Sequence, residues 1–226
     1  MHLPDLIRFL AELEENNNRA WFVMNKPRYD ILRAEFLELV TELIANIARF
    51  DPAVAYCNPK KALFRINRDL RFARERPPYK TTFSAAITAS GLKKPSQGGG
   101  PMYYFHINQA GLLRIAGGEY CPPPYRLRLL REHVVNDAAG FSKLLKDKKL
   151  NTAFGGLQQN DKLMRLPKGF DSDAPHQEAL KLKSFIVRRE VNVHKLKPAA
   201  LAGLLLDDFR TVLPLVKWLR AAGPTL

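Results

Sequence analysis

The sequence predicts an α+β fold, a mostly antiparallel sheet flanked by N-terminal and C-terminal helices. Three observations lead there. Apolar residues recur at helical spacing near both ends of the chain. The middle alternates polar and apolar residues around an Asn-Gln-Ala-Gly turn. Helices, then strands, then helices is the order expected of α+β architecture rather than of alternating βαβ units.

The elements follow in chain order. Residues 4–14 form a first helix, with Leu3, Leu6, Ile7, Leu10 and Leu13 on one face and Pro4 in the first turn. Asn16-Asn17-Asn18 ends it, and a short helical turn at 19–25 carries Trp21 and Phe22. A long amphipathic helix spans about 27–49, with Ile31, Leu32, Phe36, Leu39, Val40, Leu43, Ile44 and Ile47 inward. Asp51-Pro52 stops it. Strands are expected at 62–66 and 83–89, with a Gly/Ser/Lys loop between 91 and 101. Residues 102–108 and 112–119 form a hairpin with Gly111 at the position needing positive φ. Helices return at 124–136 and 138–146, residues 151–169 are irregular, and a helix at 174–183 runs into a strand at 185–193. The tail, 198–222, is helical with a bend at Pro214. No repeat, low-complexity tract or long linker interrupts the chain. One domain over 1–226 is expected, with a helical part to about 50, a sheet part at about 60–120 and a helical part from 123.

At 226 residues and 46% hydrophobic content the chain can bury a sizeable core, and 26% charged residues argue against global disorder. No apolar run approaches the roughly 20 residues that span a bilayer. The first residues carry no basic segment ahead of an apolar one, so no signal peptide is read and a cytoplasmic location is expected. Cys57 and Cys121 read as two buried thiols in a reducing compartment.

The net charge is +14 and uneven. Residues 1–55 hold six Lys/Arg and nine Asp/Glu, whereas residues 56–226 hold thirty and thirteen. A field of that kind attracts anions, from phosphorylated metabolites to nucleic acid.

The densest charge lies between Arg65 and Thr82, where five arginines and one lysine fall in eighteen residues. A guanidinium is always charged and presents a planar fork of donors suited to phosphate or carboxylate. If extended, Arg65, Asn67, Asp69 and Arg71 share one face and Arg68 takes the other. Asp69 would pair with an arginine and orient its fork. Pro77-Pro78 stiffens the loop that presents Tyr79, Lys80 and Thr81. Tyr104 and His106 share one strand face, and His106 has the chemistry of an acid or base. A histidine satisfied at a sheet surface is the simpler reading.

Other motifs point away from chemistry. Gly117-Gly118 permits either close approach of a backbone or ligand, or a bulge. Asp171, Asp173 and His176 match no metal signature, and Asp173 is read as a helix N-cap. No phosphate-loop, dinucleotide-binding or Gly-x-Ser-x-Gly motif is present. No metal or cofactor is expected.

Several segments together resemble one known family. Residues 16–22, Asn-Asn-Asn-Arg-Ala-Trp-Phe, with Phe9, Leu10 and Tyr29, are similar to the opening of an uncharacterised bacterial family, domain of unknown function 2461. Residues 64–72, Phe-Arg-Ile-Asn-Arg-Asp-Leu-Arg-Phe, followed by Pro78-Tyr79-Lys80-Thr81, resemble its most distinctive motif. Tyr103 to Ile107, Gly117-Gly118, Lys162-Leu163 and Pro167 to Asp171 match later blocks. The resemblance covers nearly the whole chain and implies one α+β domain. It brings no activity with it.

The expectation is an anion pocket for a phosphorylated or carboxylated small molecule, with Arg65, Arg68, Arg71 and Lys80 on the anion, Asp69 as orienter, and Tyr79, Tyr104 and His106 lining it. Whether the pocket is also catalytic is left open. One alternative is a nucleic-acid-binding module using the basic surface. The other is a structural or partner-binding protein whose arginines are held in internal ion pairs. The sequence assigns no oligomeric state.

Overall fold

The computed structural model describes residues 1–69, 75–90, 92, 99–196 and 200–223. Its centre is a four-stranded antiparallel sheet in the order β1-β2-β3-β4. The strands are β1 (Thr82–Thr88), β2 (Met102–Asn108), β3 (Leu112–Glu119) and β4 (Phe185–Asn192). The sheet is therefore not confined to residues 60–120, because its fourth strand arrives from far along the chain.

The helices are α1 (Leu3–Glu15), α2 (Arg19–Met24), α3 (Lys26–Ala48), α4 (Pro59–Ala62), α5 (Pro124–Asn136), α6 (Ala138–Leu145), α7 (Lys148–Phe154), α8 (Gln177–Leu180) and α9 (Ala200–Ala221). Helices α1, α3 and α9 pack against the sheet. They meet the face formed by Tyr103, Phe105, Ile107, Leu113 and Ile115, all fully buried. Buried apolar side chains from Leu3 to Leu219 belong to one core cluster. In α3 the inward stripe begins at Leu32, while Ile31 is 61% exposed.

Local chemistry sets the boundaries. Asn18 caps α2 by accepting from the Trp21 amide at 3.0 Å. The hairpin turn is closed by Asn108, whose side chain accepts from the Ala110 and Leu112 amides at 3.0 and 2.9 Å. Gly111 takes φ +69° there, as a turn of that kind requires.

Several expectations are corrected. Residues 62–66 are not a strand: Asn58 caps a helical turn, accepting from the Lys61 amide at 3.2 Å, with Pro59 at its first position. Leu63 keeps a single bridge to Ala85. The helix expected over 174–183 shrinks to α8, because Leu182 is drawn into a bridge with Lys162. It follows His176 at φ 57°, so Asp173 is not its cap. The irregular stretch begins later than expected, since α7 runs to Phe154 and ends on Gly155 at φ 71°. Helix α9 continues through Pro214.

Two features bind α9 to the sheet. Gly117 sits under it so closely that a Cβ there would lie 2.1 Å from Val212 Cγ1. At the end of β3, buried Glu119 receives Arg126 Nε on Oε1 at 2.9 Å and Nη2 on Oε2 at 3.0 Å. The same guanidinium donates to the Leu219 and Gly223 carbonyls at 2.7 and 2.9 Å.

Gly117→Ala should therefore destabilise the protein by about 1–3 kcal/mol through overpacking. Adding Val212→Ala should make the double variant more stable than the sum of the two single losses. Chemical denaturation of the four chains checks this, and strict additivity would refute the contact.

Candidate cationic–aromatic cavity

The strand face turned away from α1, α3 and α9 carries the chemistry. Alternation puts Tyr104 and His106 of β2 on that face, opposite to Tyr103 and Phe105. The registers then fix their neighbours. His106 stands opposite Arg114, and Arg114 opposite Glu190. Tyr104 stands opposite Ala116, and Ala116 opposite Arg188. Over this lattice lies a cavity of about 330 Å³, lined also by Phe64, Met102, Gly117, Tyr120 and Ile186.

The polar groups are ordered by one another. The Tyr104 hydroxyl lies 3.0 Å from His106 Nδ1. Burial, with the Arg114 charge beside it, pushes the His106 pKa down to about 4, so the imidazole is neutral at pH 7. Burial raises the Tyr104 pKa, so its hydroxyl keeps its proton. Arg114 is held by Glu190, with Nε and Nη2 at 2.9 and 2.6 Å from Oε1. Arg188 differs: among the described residues no carboxylate lies within ion-pair distance of it, whereas its strand neighbour Arg189 is held by Asp208 at 2.7 Å.

The described part of the arginine run meets this cavity through Phe64. Its chain doubles back, with the Arg68 amide on the Pro78 carbonyl and the Lys80 amide on the Ile66 carbonyl, both at 2.8 Å. Lys80 Nζ donates to the Arg65 carbonyl at 3.1 Å and sits 5.6 Å from the centre of the Phe64 ring. Phe64 also meets Tyr104, edge-on at 6.1 Å. Burial, then the charges of Arg65 and Arg68, lowers the Lys80 pKa. Those three cations therefore share one locality, although none of them lines the cavity. Arg68 Nε is committed to the Tyr79 carbonyl at 3.1 Å. Asp69 is exposed, and Arg71 lies outside the described residues.

Tyr79 is placed elsewhere than expected. Its ring is buried and stacked on Phe22 at 4.1 Å. Asn17 brackets its backbone, accepting from the amide and donating to the carbonyl, each at 3.0 Å. It braces the arginine run against α1 and α2 rather than facing a ligand.

Arg114, Arg188, Tyr120 and Phe64 were not singled out by sequence reasoning. Strand alternation puts Arg114 on the face of Ala116, and the register puts it opposite His106. Among the described residues no cluster of three or more metal-ligating side chains occurs. His176 Nε2 instead lies 2.9 Å from the Ser142 hydroxyl and 3.0 Å from the Ala138 carbonyl. Cys57 is buried and Cys121 half-buried, and both are free thiols. No described helix is long and apolar enough to cross a membrane.

Fold and site together define an α+β protein with a cationic–aromatic cavity on the open face of an antiparallel sheet. The chain belongs to the family described as conserved hypothetical protein (DUF2461), whose model matches residues 5–218. No curated protein and no solved structure matches it.

The lowered His106 pKa has a testable sign. The folded state holds the neutral ring, while the unfolded chain takes up a proton near pH 6.5. His106 therefore contributes stability above that value, and the contribution falls as pH drops from about 6.5 towards 4. Its ring proton resonance should titrate with a midpoint near 4 by NMR; a midpoint near 6.5 would show an unperturbed, solvated ring.

Proposed function

We propose that the cavity binds a small organic anion, phosphorylated or carboxylated, with a flat apolar body. The observation that carries this reading is Arg188, a guanidinium on the cavity wall with no carboxylate of the described chain to neutralise it. A fork of that kind is suited to a carboxylate or phosphate. Phe64 and Tyr120 supply aromatic walls, and Met102, Ile186 and Ala116 an apolar lining. At about 330 Å³ the space is at the small end of the roughly 300–1,000 Å³ typical of ligand pockets, which suits a single metabolite.

Arg114 is anchored by Glu190, and its charge adds to the burial that keeps His106 neutral. The Tyr104–His106 pair places a hydroxyl and a neutral imidazole in contact at the cavity wall. Such a pair can offer hydrogen bonds to the polar groups of a bound ligand. The Arg65–Arg68–Lys80 locality behind Phe64 adds positive potential, drawing anions to this side of the sheet.

Thermal-shift titration with benzoate, phenyl phosphate and benzyl alcohol tests the reading. The two anions should stabilise the protein and the neutral alcohol should not. Arg188→Ala should weaken anion binding about 30-fold or more, as expected when one partner of a desolvated charge pair is truncated. Arg65→Ala should weaken it far less. Equal stabilisation of wild type and Arg188→Ala by the anions would remove Arg188 from the site.

A further inference from the structure

A second, separate concentration of charge lies where α6, α7 and α9 meet. An open groove there, of about 960 Å³, is lined by Lys143, Lys146, Lys148 and Lys149, with Arg210 and Pro214 on its α9 side. Elsewhere in the chain Lys26, Lys162, Lys181 and Lys183 form ion pairs. The four groove lysines have no such partner among the described residues, and all four are exposed.

The carboxylate between them is already engaged. Asp147 caps α7, accepting from the Leu150 amide at 2.9 Å. Arg210 is partly engaged too, by Asp207 at 3.2 Å and by the Phe50 ring at 5.2 Å. Lys217 stands one further pair of turns along α9, on the face of Arg210 and Pro214. Lys148 and Lys149 occupy the first turn of α7, the end of a helix where the backbone dipole disfavours cations. Four like charges in seven residues also repel one another. Lys143 and Lys146, at the end of α6, sit where a helix dipole favours cations; the placement of Lys148 and Lys149 is not explained that way, whereas an external polyanion would account for it.

We propose that this groove docks the phosphate backbone of a nucleic-acid duplex without reading its sequence. Lysines are flexible point charges, suited to backbone contact rather than to planar recognition. No aromatic side chain lines the groove, so it offers no platform for unpaired bases. It also lacks the large apolar side chains that a membrane-surface site inserts. This surface shares no lining residue with the Arg188 cavity, and the two stand or fall separately.

Fluorescence anisotropy of the full chain with a short random-sequence DNA duplex, and with the matching RNA duplex, tests it across about 50–200 mM salt. Four phosphate contacts predict log K falling against log salt with a slope of about −3.6. The variant carrying Lys143→Ala, Lys146→Ala, Lys148→Ala and Lys149→Ala should bind at least tenfold more weakly, with most of that slope gone. A charge-matched control with Arg19→Ala, Lys60→Ala, Arg165→Ala and Lys168→Ala, all exposed sites elsewhere, should bind nearly as the parent does. So should Arg188→Ala. Equal losses in groove and control variants would reduce the effect to net charge and overturn the proposal. Salt-independent binding would overturn it as well. Tighter binding of polyglutamate or phosphatidylserine vesicles at the same salt would also overturn it, assigning the groove to another partner class.

Discussion

The buried ion pair between Glu119 and Arg126 is the joint on which the rest of the arrangement depends. Glu119 ends the strand that carries Arg114 and Ala116, and Arg126 opens the helix that follows it. The guanidinium is 0% exposed, and four of its five N–H groups are taken up by the Glu119 carboxylate and the Leu219 and Gly223 carbonyls. Carbonyls at the end of α9, which have no partner within a helix, thus receive a cation at the end the macrodipole favours. Removing either partner of such a pair strands a charge in the core, at a cost of about 3–5 kcal/mol. Strand β3, helix α5 and the end of α9 are therefore fixed to one another through a single side chain.

That joint makes the sheet one-sided. With α9 locked along β3, Val212 presses on Gly117, where no side chain could be accommodated without displacement. The cavity begins on the opposite side of the same residue. Its floor at that point is one backbone thick, backed by a packed helix. A rigid floor holds Tyr104, His106, Arg114 and Arg188 in the positions their registers dictate. The low pKa of His106 follows from this geometry, since burial and a neighbouring cation act on the ring together.

Local signals made much of the fold readable. The hairpin at 102–119 follows from alternation and one Asn-x-x-Gly turn, and its expected bounds coincide with β2 and β3. The paired glycines read as a place of close approach or of a bulge; Val212 of α9 approaches Gly117, and the Phe185 carbonyl of β4 lies against Gly118. The site was less legible, because its geometry is set by contacts distant in sequence. Arg114 meets Glu190 and Ala116 meets Arg188 across a pairing of β3 with β4 that joins residues more than seventy positions apart. Tyr79 read as a presented side chain because Pro-Pro precedes it, yet Asn17 and Phe22 draw it inward from the other end of the chain. The arginine run was visible as charge, but Phe64 separates Lys80 from the cavity that Tyr104 and His106 line. Of the strand expected at 62–66, Ala62 went to an Asn-Pro helix start, while Leu63 is extended but forms only an isolated bridge to Ala85.

The central claim is that Arg188 anchors an anion inside this cavity. Anomalous diffraction from crystals soaked in 4-bromobenzoate tests it most directly. The account predicts a bromine peak within the cavity, with the carboxylate about 3 Å from the Arg188 guanidinium and the ring against Phe64. A cavity left unfilled, a carboxylate bound instead at Arg65, Arg68 and Lys80, or Arg188 folded onto a carboxylate of its own chain would contradict it.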